Sequence, residues 1–198
     1  IMYDPRGLGA LQLDGLREVA NVGAGHAATA LSSLTNRRIS IDVPEIRVVR
    51  LEDVAGIMGE PDEVVAAVVM QVLGDATGRT IQVFSGESAS RLTGILLNRP
   101  PAPFPAGFGE LEQSALKEVG NILVGAYLNA LGDMLGLMML MSVPSIALDM
   151  AGAVFTSSYL NVGEETDHVF CIDTAFHVAD GGGTLRGHFM LLPDAASL

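Results

Sequence analysis

The chain has 198 residues, 49% of them apolar and 17% charged, with 23 Gly, 9 Pro and no Trp. That composition excludes a disordered protein, which lacks the apolar residues to offset chain entropy, and a collagen-like one, because the glycines show no three-residue period. Eleven basic residues against 23 acidic ones give a net charge of −12, a field that repels phosphate backbones and anionic headgroups and so argues against nucleic acid or a membrane surface as partner.

A chain of this length buries about 70% of the surface its unfolded form exposes and needs no disulfide or metal staple. Its first residues, Ile1-Met2-Tyr3-Asp4-Pro5-Arg6, carry no basic region followed by an apolar core, so no leader is read there and a cytoplasmic protein is expected. The first element is a long helix. At 100° per residue, Leu16, Ala20, Gly23, Ala27, Leu31 and Leu34 fall within about 60° of one direction and are expected to face inward. Asp14, Glu18, Asn21, Gly25 and Ser32 point the opposite way. A short strand follows around Pro44, whose imino nitrogen suits a strand start or edge. Residues 63–73 read as a strand, 75–78 as a Gly-containing turn and 80–84 as a second strand, and Ser85 opens a helix over about 86–97.

Residues 98–107 hold four of the nine prolines and can be neither helix interior nor central strand. Beyond them the chain repeats itself. A shift of 100 residues lays Leu11 to Gly25 over Leu111 to Gly125, Ala30-Leu31 over Ala130-Leu131, and Val43-Pro44 over Val143-Pro144. In the second helix Leu116, Gly120, Leu123, Tyr127, Leu131 and Met134 are expected inward, and Ser114, Glu118, Asn121 and Gly125 outward. Residues 168–176 and 185–192 match the first pair of strands, and Pro193 to Leu198 reads as the start of a counterpart to the helix after Ser85. Runs 64–70 and 135–141 end well short of the ~20 residues a membrane span requires. The expected architecture is α+β: two half-repeats of about 1–98 and 108–198, joined by a Pro-rich linker over 99–107 into one domain. Two long exposed helices and further helices pack on a joined, mainly antiparallel sheet about a pseudo-twofold axis.

Each long helix thus shows solvent one carboxylate, one carboxamide three residues on and one glycine a further turn along. A lone exposed Glu-x-x-Asn pair is ordinary helix surface. The repeat changes the weighing, because exposed neighbours have diverged (His26 against Ala126) while Glu, Asn and Gly coincide in both copies. Gly costs about 1 kcal/mol in a helix interior relative to Ala. Gly25 and Gly125 lie on the outer face, where they contribute nothing to core packing, and a partner's backbone approaching closely explains them. Asp14 and Ser114 read equally well as interface support or as N-terminal turn or cap positions.

Other chemistries find no footing in the residues. Cys171, the only cysteine, sits in an alternating apolar segment and reads as a buried thiol in a reducing compartment. His26, His168, His177 and His188 have no Cys or carboxylate at ligand spacing, so no metal site is expected. His26 reads as surface. Gly181-Gly182-Gly183 precedes a strand and does not open a helix, which disfavours a phosphate loop.

Asp14-x3-Glu18-x2-Asn21-x22-Pro44 and Ser114-x3-Glu118-x2-Asn121-x22-Pro144 resemble the Asp/Ser-x3-Glu-x2-Asn-x22-Pro pattern of the CheC, CheX and FliY phosphatases of chemotaxis. The text around the second copy is most similar to CheC, and the similarity runs nearly end to end. The resemblance implies hydrolysis of the aspartyl phosphate on phosphorylated CheY, the response regulator of the flagellar motor. Asn21 and Asn121 would then orient the attacking water. Glu18 and Glu118 would pair with the regulator's active-site Lys, while Pro44 and Pro144 position the site. No cofactor of the chain's own is implied, since the regulator supplies Mg2+. The resemblance further implies docking of the receptor deamidase CheD at the segment around Asp149. A monomer is expected. Two other readings stay open: an adaptor that binds CheD or sequesters phosphorylated CheY with little turnover, and a flagellar switch component of the FliY type, which the end of the chain at Leu198 disfavours.

Overall fold

A computed structural model describes residues 10–43, 45–159, 168–179 and 183–194. Two 26-residue helices, α1 (Ala10–Thr35) and α4 (Glu110–Leu135), lie side by side on one face of an antiparallel eight-stranded sheet. The strands are β1 (Ile39–Asp42), β2 (Ile46–Arg50), β3 (Val64–Gly74), β4 (Gly78–Ser85), β5 (Met139–Met141), β6 (Ser145–Met150), β7 (His168–Val178) and β8 (Thr184–Pro193). The helix expected after Ser85 is α3 (Gly86–Leu97), with the Ser85 hydroxyl accepting from the Ser88 N–H. Pro193 ends β8, and the rest of the segment expected to start a counterpart helix, beyond Asp194, lies outside the described residues.

The short strand expected around each proline is in fact two strands. β1 and β2 flank position 44, and β5 and β6 flank Pro144. Pro44 itself lies outside the described residues. Between Met141, opposite Val72, and Ser145, opposite Val69, three residues face two of β3, a bulge of the kind that tolerates the missing N–H of Pro144. The break is held against β3 by Ser142, whose hydroxyl accepts from the Gln71 N–H at 2.9 Å while the Ser142 N–H donates to the Gln71 carbonyl.

The sheet order is β1-β7-β8-β4-β3-β5, with β2 also on β7 and β6 also on β3. The repeats therefore exchange edges: the first repeat's β1 and β2 pair with the second repeat's β7, and β5 and β6 pair with β3. β4 and β8 join the halves in the middle, with Ile81 opposite Met190. The run Val64-Val65-Ala66-Ala67-Val68-Val69-Met70 is continuously apolar because both its faces are covered. Ala66, Val68 and Met70 share one core with α1, α4 and α3, whereas Val65 and Ala67 join a second core with α5 (Ala151–Tyr159), the short helix α2 (Ala55–Met58) and the turn Leu51–Asp53 before it. Cys171 belongs to that second core, where burial pushes its thiol up to about 12.

The inward stripes follow the 3.6-residue pattern with two exceptions, and Ser32, expected outward, is half-buried with its hydroxyl bonded to the N–H and carbonyl of Ile39. Ala20, Ala27, Leu31, Leu116, Leu123 and Tyr127 are buried, but Leu34 and Met134, both expected inward, are 52% and 45% exposed. Each sits in the last turn of its helix. The two helices run antiparallel, since Gly15 lies nearest Met134 and Gly23 nearest Tyr127. Gly23 sets their spacing: a Cβ there would stand 2.7 Å from Tyr127 Cδ1 and 3.1 Å from the Ala126 carbonyl oxygen. Tyr127 in turn hydrogen-bonds Thr174 of β7 at 3.1 Å, and burial pushes its phenol up to about 12.

On the second face Asp173 accepts from His188 Nδ1 at 2.8 Å and pairs with Arg47 at 3.0 Å. Burial alone would raise the Asp173 carboxyl, but the hydrogen bond and charge of His188, with Arg47, outweigh it and hold the group below the usual carboxylate range.

Two predictions follow from this packing. Gly23→Ala should lower stability by about 1–3 kcal/mol through overpacking, whereas Gly25→Ala, whose Cβ meets nothing within 4 Å, should raise it by about 0.5–1 kcal/mol; urea unfolding of both variants measures the contrast. A carboxyl depressed in the folded state adds stability that is complete above its unfolded value of about 3.9 and is lost as pH falls through the folded value. Thermal melts of Asp173→Asn should thus lie below wild type at neutral pH and converge with it at the acid end.

Candidate functional site

Both outward faces are where the helical period places them. On α1, Asp14, Glu18, Asn21 and Gly25 are all exposed. Glu18 and Asn21, three residues apart, are neighbours on the helix surface with Cβ atoms about 5–6 Å apart. On α4, Ser114 and Glu118 are exposed, while Asn121 and Gly125 are half-buried.

Asp14 and Ser114 are not caps, because each stands a full turn inside its helix. The N-terminus of α4 is closed instead by Glu112, whose carboxylate accepts from the Gly109 N–H at 3.0 Å and pairs with Arg99. Asp14 holds Arg17 at 3.1 Å across one turn. The second copy has Ser114 and Lys117 at these positions. The site thus differs between copies in charge as well as in exposure.

The two glycines also part company, correcting the expectation that neither touches the protein's own packing. A Cβ at Gly25 would meet nothing within 4 Å, whereas one at Gly125 would stand 2.9 Å from Met141 Cε and 3.7 Å from its Sδ. Met141 is the residue that sequence reasoning missed. The contact joins a helix to a later edge strand, and the aligned residue in the first repeat, Ile41, makes no such approach.

Asp149 is exposed at the end of β6, with its carboxylate accepting from the Met150 N–H at 2.8 Å. β6 pairs with β3 on one side, and α5 follows it directly.

Chemically, each outward face offers a carboxylate able to hold a cation and a carboxamide that can donate and accept hydrogen bonds without titrating. Among the described residues no three His, Cys, Asp or Glu side chains converge to hold a metal ion, and no described helix is long and apolar enough to cross a membrane.

The model of the CheC-like family matches residues 11–47 and 111–148, the segments that carry both faces. The chain is 34% identical over 184 residues to the CheY-P phosphatase CheC of Bacillus subtilis, covering 92% of this chain and 88% of that protein. It is 22% identical to the flagellar motor switch phosphatase FliY of the same organism, covering 71% of this chain and 36% of that longer protein. The crystal structure of Thermotoga maritima FliY shares the fold, with a TM-score of 0.78, 18% identity, and 94% and 92% of the two chains covered. An identity of 34% across nearly the whole length, with the family's two matched segments falling on the duplicated helices, places the chain in the CheC-like family.

Proposed function

We propose that this chain hydrolyses the aspartyl phosphate of a CheY-type receiver domain, at two places related by the internal repeat. The observation that carries the reading is the recurrence of an outward Glu and Asn at the same offset on two rigid helices, in a chain similar to a protein named CheY-P phosphatase. An acyl phosphate is already activated, and loose phosphoryl-transfer transition states need mainly positioning and charge neutralisation. The receiver brings the charge: its own Mg2+ and Lys face the phosphoryl oxygens.

What remains is the water. The carboxamide of Asn21 or Asn121 accepts a hydrogen bond from it and holds it in line with the scissile bond, as a glutamine does in some GTPases. The water oxygen bonds to phosphorus, the bond from phosphorus to the aspartyl oxygen breaks, the carboxylate departs with the electron pair, and both water protons leave on the inorganic phosphate. Glu18 or Glu118 pairs with the receiver's Lys, which seats the helix so that the amide reaches the pocket. Gly25 leaves room for the receiver's backbone beside the first site. Pro144 follows Met141, which stands against Gly125 of the second helix, and its segment is pinned to β3 through Ser142.

A deamidase of the CheD type is the second partner in this reading, and Asp149 is the docking residue. Its support is position: an exposed carboxylate on an edge strand, beside the half-exposed Met150, and separate from both helix faces.

Phosphate release from a labelled receiver tests the first reading. At saturating receiver, Asn21→Ala and Asn121→Ala should each retain part of the activity and the double variant should lose about 10²-fold or more; a double variant as fast as wild type contradicts the assignment. Because an amide does not titrate, this chain should add little pH dependence between about pH 6 and 8, and a steep limb tracing to Glu18 or Glu118 would mark a general base instead. For the second partner, Asp149→Lys should abolish deamidase binding in a pull-down with purified proteins while leaving basal phosphate release unchanged.

A further inference from the structure

We infer that the two sites are not equivalent, and that Met141 narrows the approach of a receiver to the second one. The inference rests on the phosphatase reading and goes beyond it by naming the residue that sets the difference. Gly25 and Gly125 occupy the same offset, four residues after the site asparagine and so one turn away on the same face. At Gly25 the face is open to 4 Å, but at Gly125 the end of the Met141 side chain stands 2.9 Å from where a Cβ would be, closer than a Cβ tolerates.

Burial agrees with this. Asn21 and Gly25 are exposed while Asn121 and Gly125 are half-buried. At Gly125 the neighbour is the edge strand, since β5, which carries Met141, is tied to β3 through Leu73 and Leu140. Position 41, the counterpart in β1, carries Ile, whose branched stem is shorter and stiffer than a thioether.

Met141 is a positioning residue and touches no reacting atom. A backbone that comes close to α1 at Gly25 meets the Met141 thioether first when it approaches α4. Methionine has three rotatable bonds, so the obstruction yields at modest cost. It therefore weakens association at the second site and leaves the chemical step, once the receiver is seated, as it is at the first. The exposed surface around each site is otherwise unlike as well: Asp14 and Arg17 neutralise one another on α1, and Lys117 stands beside Ser114 on α4. This adds a charge difference that salt would screen, whereas the Met141 effect is steric and persists in high salt.

Single-site backgrounds separate the sites. With Asn121→Ala only the first site turns over, and with Asn21→Ala only the second. The second should show a KM about threefold to tenfold above the first, with similar kcat. Met141→Ala, and independently Met141→Ile to restore the first repeat's residue, should lower that KM in the Asn21→Ala background and change nothing in the Asn121→Ala background. Calorimetric titration with the receiver locked by beryllofluoride should show the same shift in Kd at high salt, and thermal melts of both Met141 variants check that they fold. Phosphate release with a KM indifferent to Met141, or altered equally in both backgrounds, overturns this inference and leaves the phosphatase reading intact. A chain that neither binds nor dephosphorylates the receiver overturns both.

Discussion

The outer faces of two helices can present side chains in a fixed frame only if their inner faces are unable to roll, and the close crossing at Gly23 is what prevents it here. With no side chain at that position, α1 comes within contact of the α4 backbone. The buried ring of Tyr127 is then clamped between Gly23, Phe189 and the Thr174 hydroxyl. A helix held by a stripe of small and aliphatic residues alone can slide, because apolar contact is not directional. The Tyr127–Thr174 hydrogen bond adds direction, and its loss inside the core would leave two polar groups without partners. The Glu and Asn on the opposite surface inherit that rigidity at no further cost.

The exchange of edge strands extends the constraint through the whole sheet. Because β1 and β2 lie on β7 while β5 and β6 lie on β3, neither repeat can open without unpairing strands of the other. α1 is tied to its own edge by Ser32, whose hydroxyl bonds both the N–H and the carbonyl of Ile39. α4 meets its edge through Met139 and Met141. The sites are thereby copies in frame but not in setting, for one edge is polar around Arg37, Arg38 and Ser40, and the other is apolar around Leu137, Met138 and Leu140.

The helical period and the 100-residue repeat made much of this legible in the sequence. They gave both long helices, the inward stripe from Leu16 to Leu31, the outward Glu and Asn, the hairpins of β3–β4 and β7–β8 and the helix after Ser85. What they could not give depends on tertiary neighbours. The exposure of Leu34 and Met134 goes with their place in the last turn of each helix, which periodicity does not encode. The division of each expected strand in two is a one-residue slip of register, from Asp42 opposite Ala175 to Ile46 opposite Ile172 and from Met141 opposite Val72 to Ser145 opposite Val69, and it becomes visible only when the flanking residues pair with a strand. The edge exchange has no local signal, since antiparallel pairing within or between repeats demands the same alternation. Met141 escaped for a related reason: glycine conservation between the repeats suggested one common role, while the strand beside one glycine had already come to fill its place.

The central claim is that the carboxamides of Asn21 and Asn121 themselves enter the receiver's phosphorylation pocket. The side-chain NH2 resonances of these two residues, assigned in a 15N-labelled chain by comparison with the Asn→Ala variants, report on it directly during titration with beryllofluoride-loaded receiver. The account predicts that both pairs shift, while those of Asn98 and Asn129, which lie off the two faces, stay in place. Formation of the complex with the Asn21 and Asn121 resonances unmoved would contradict it.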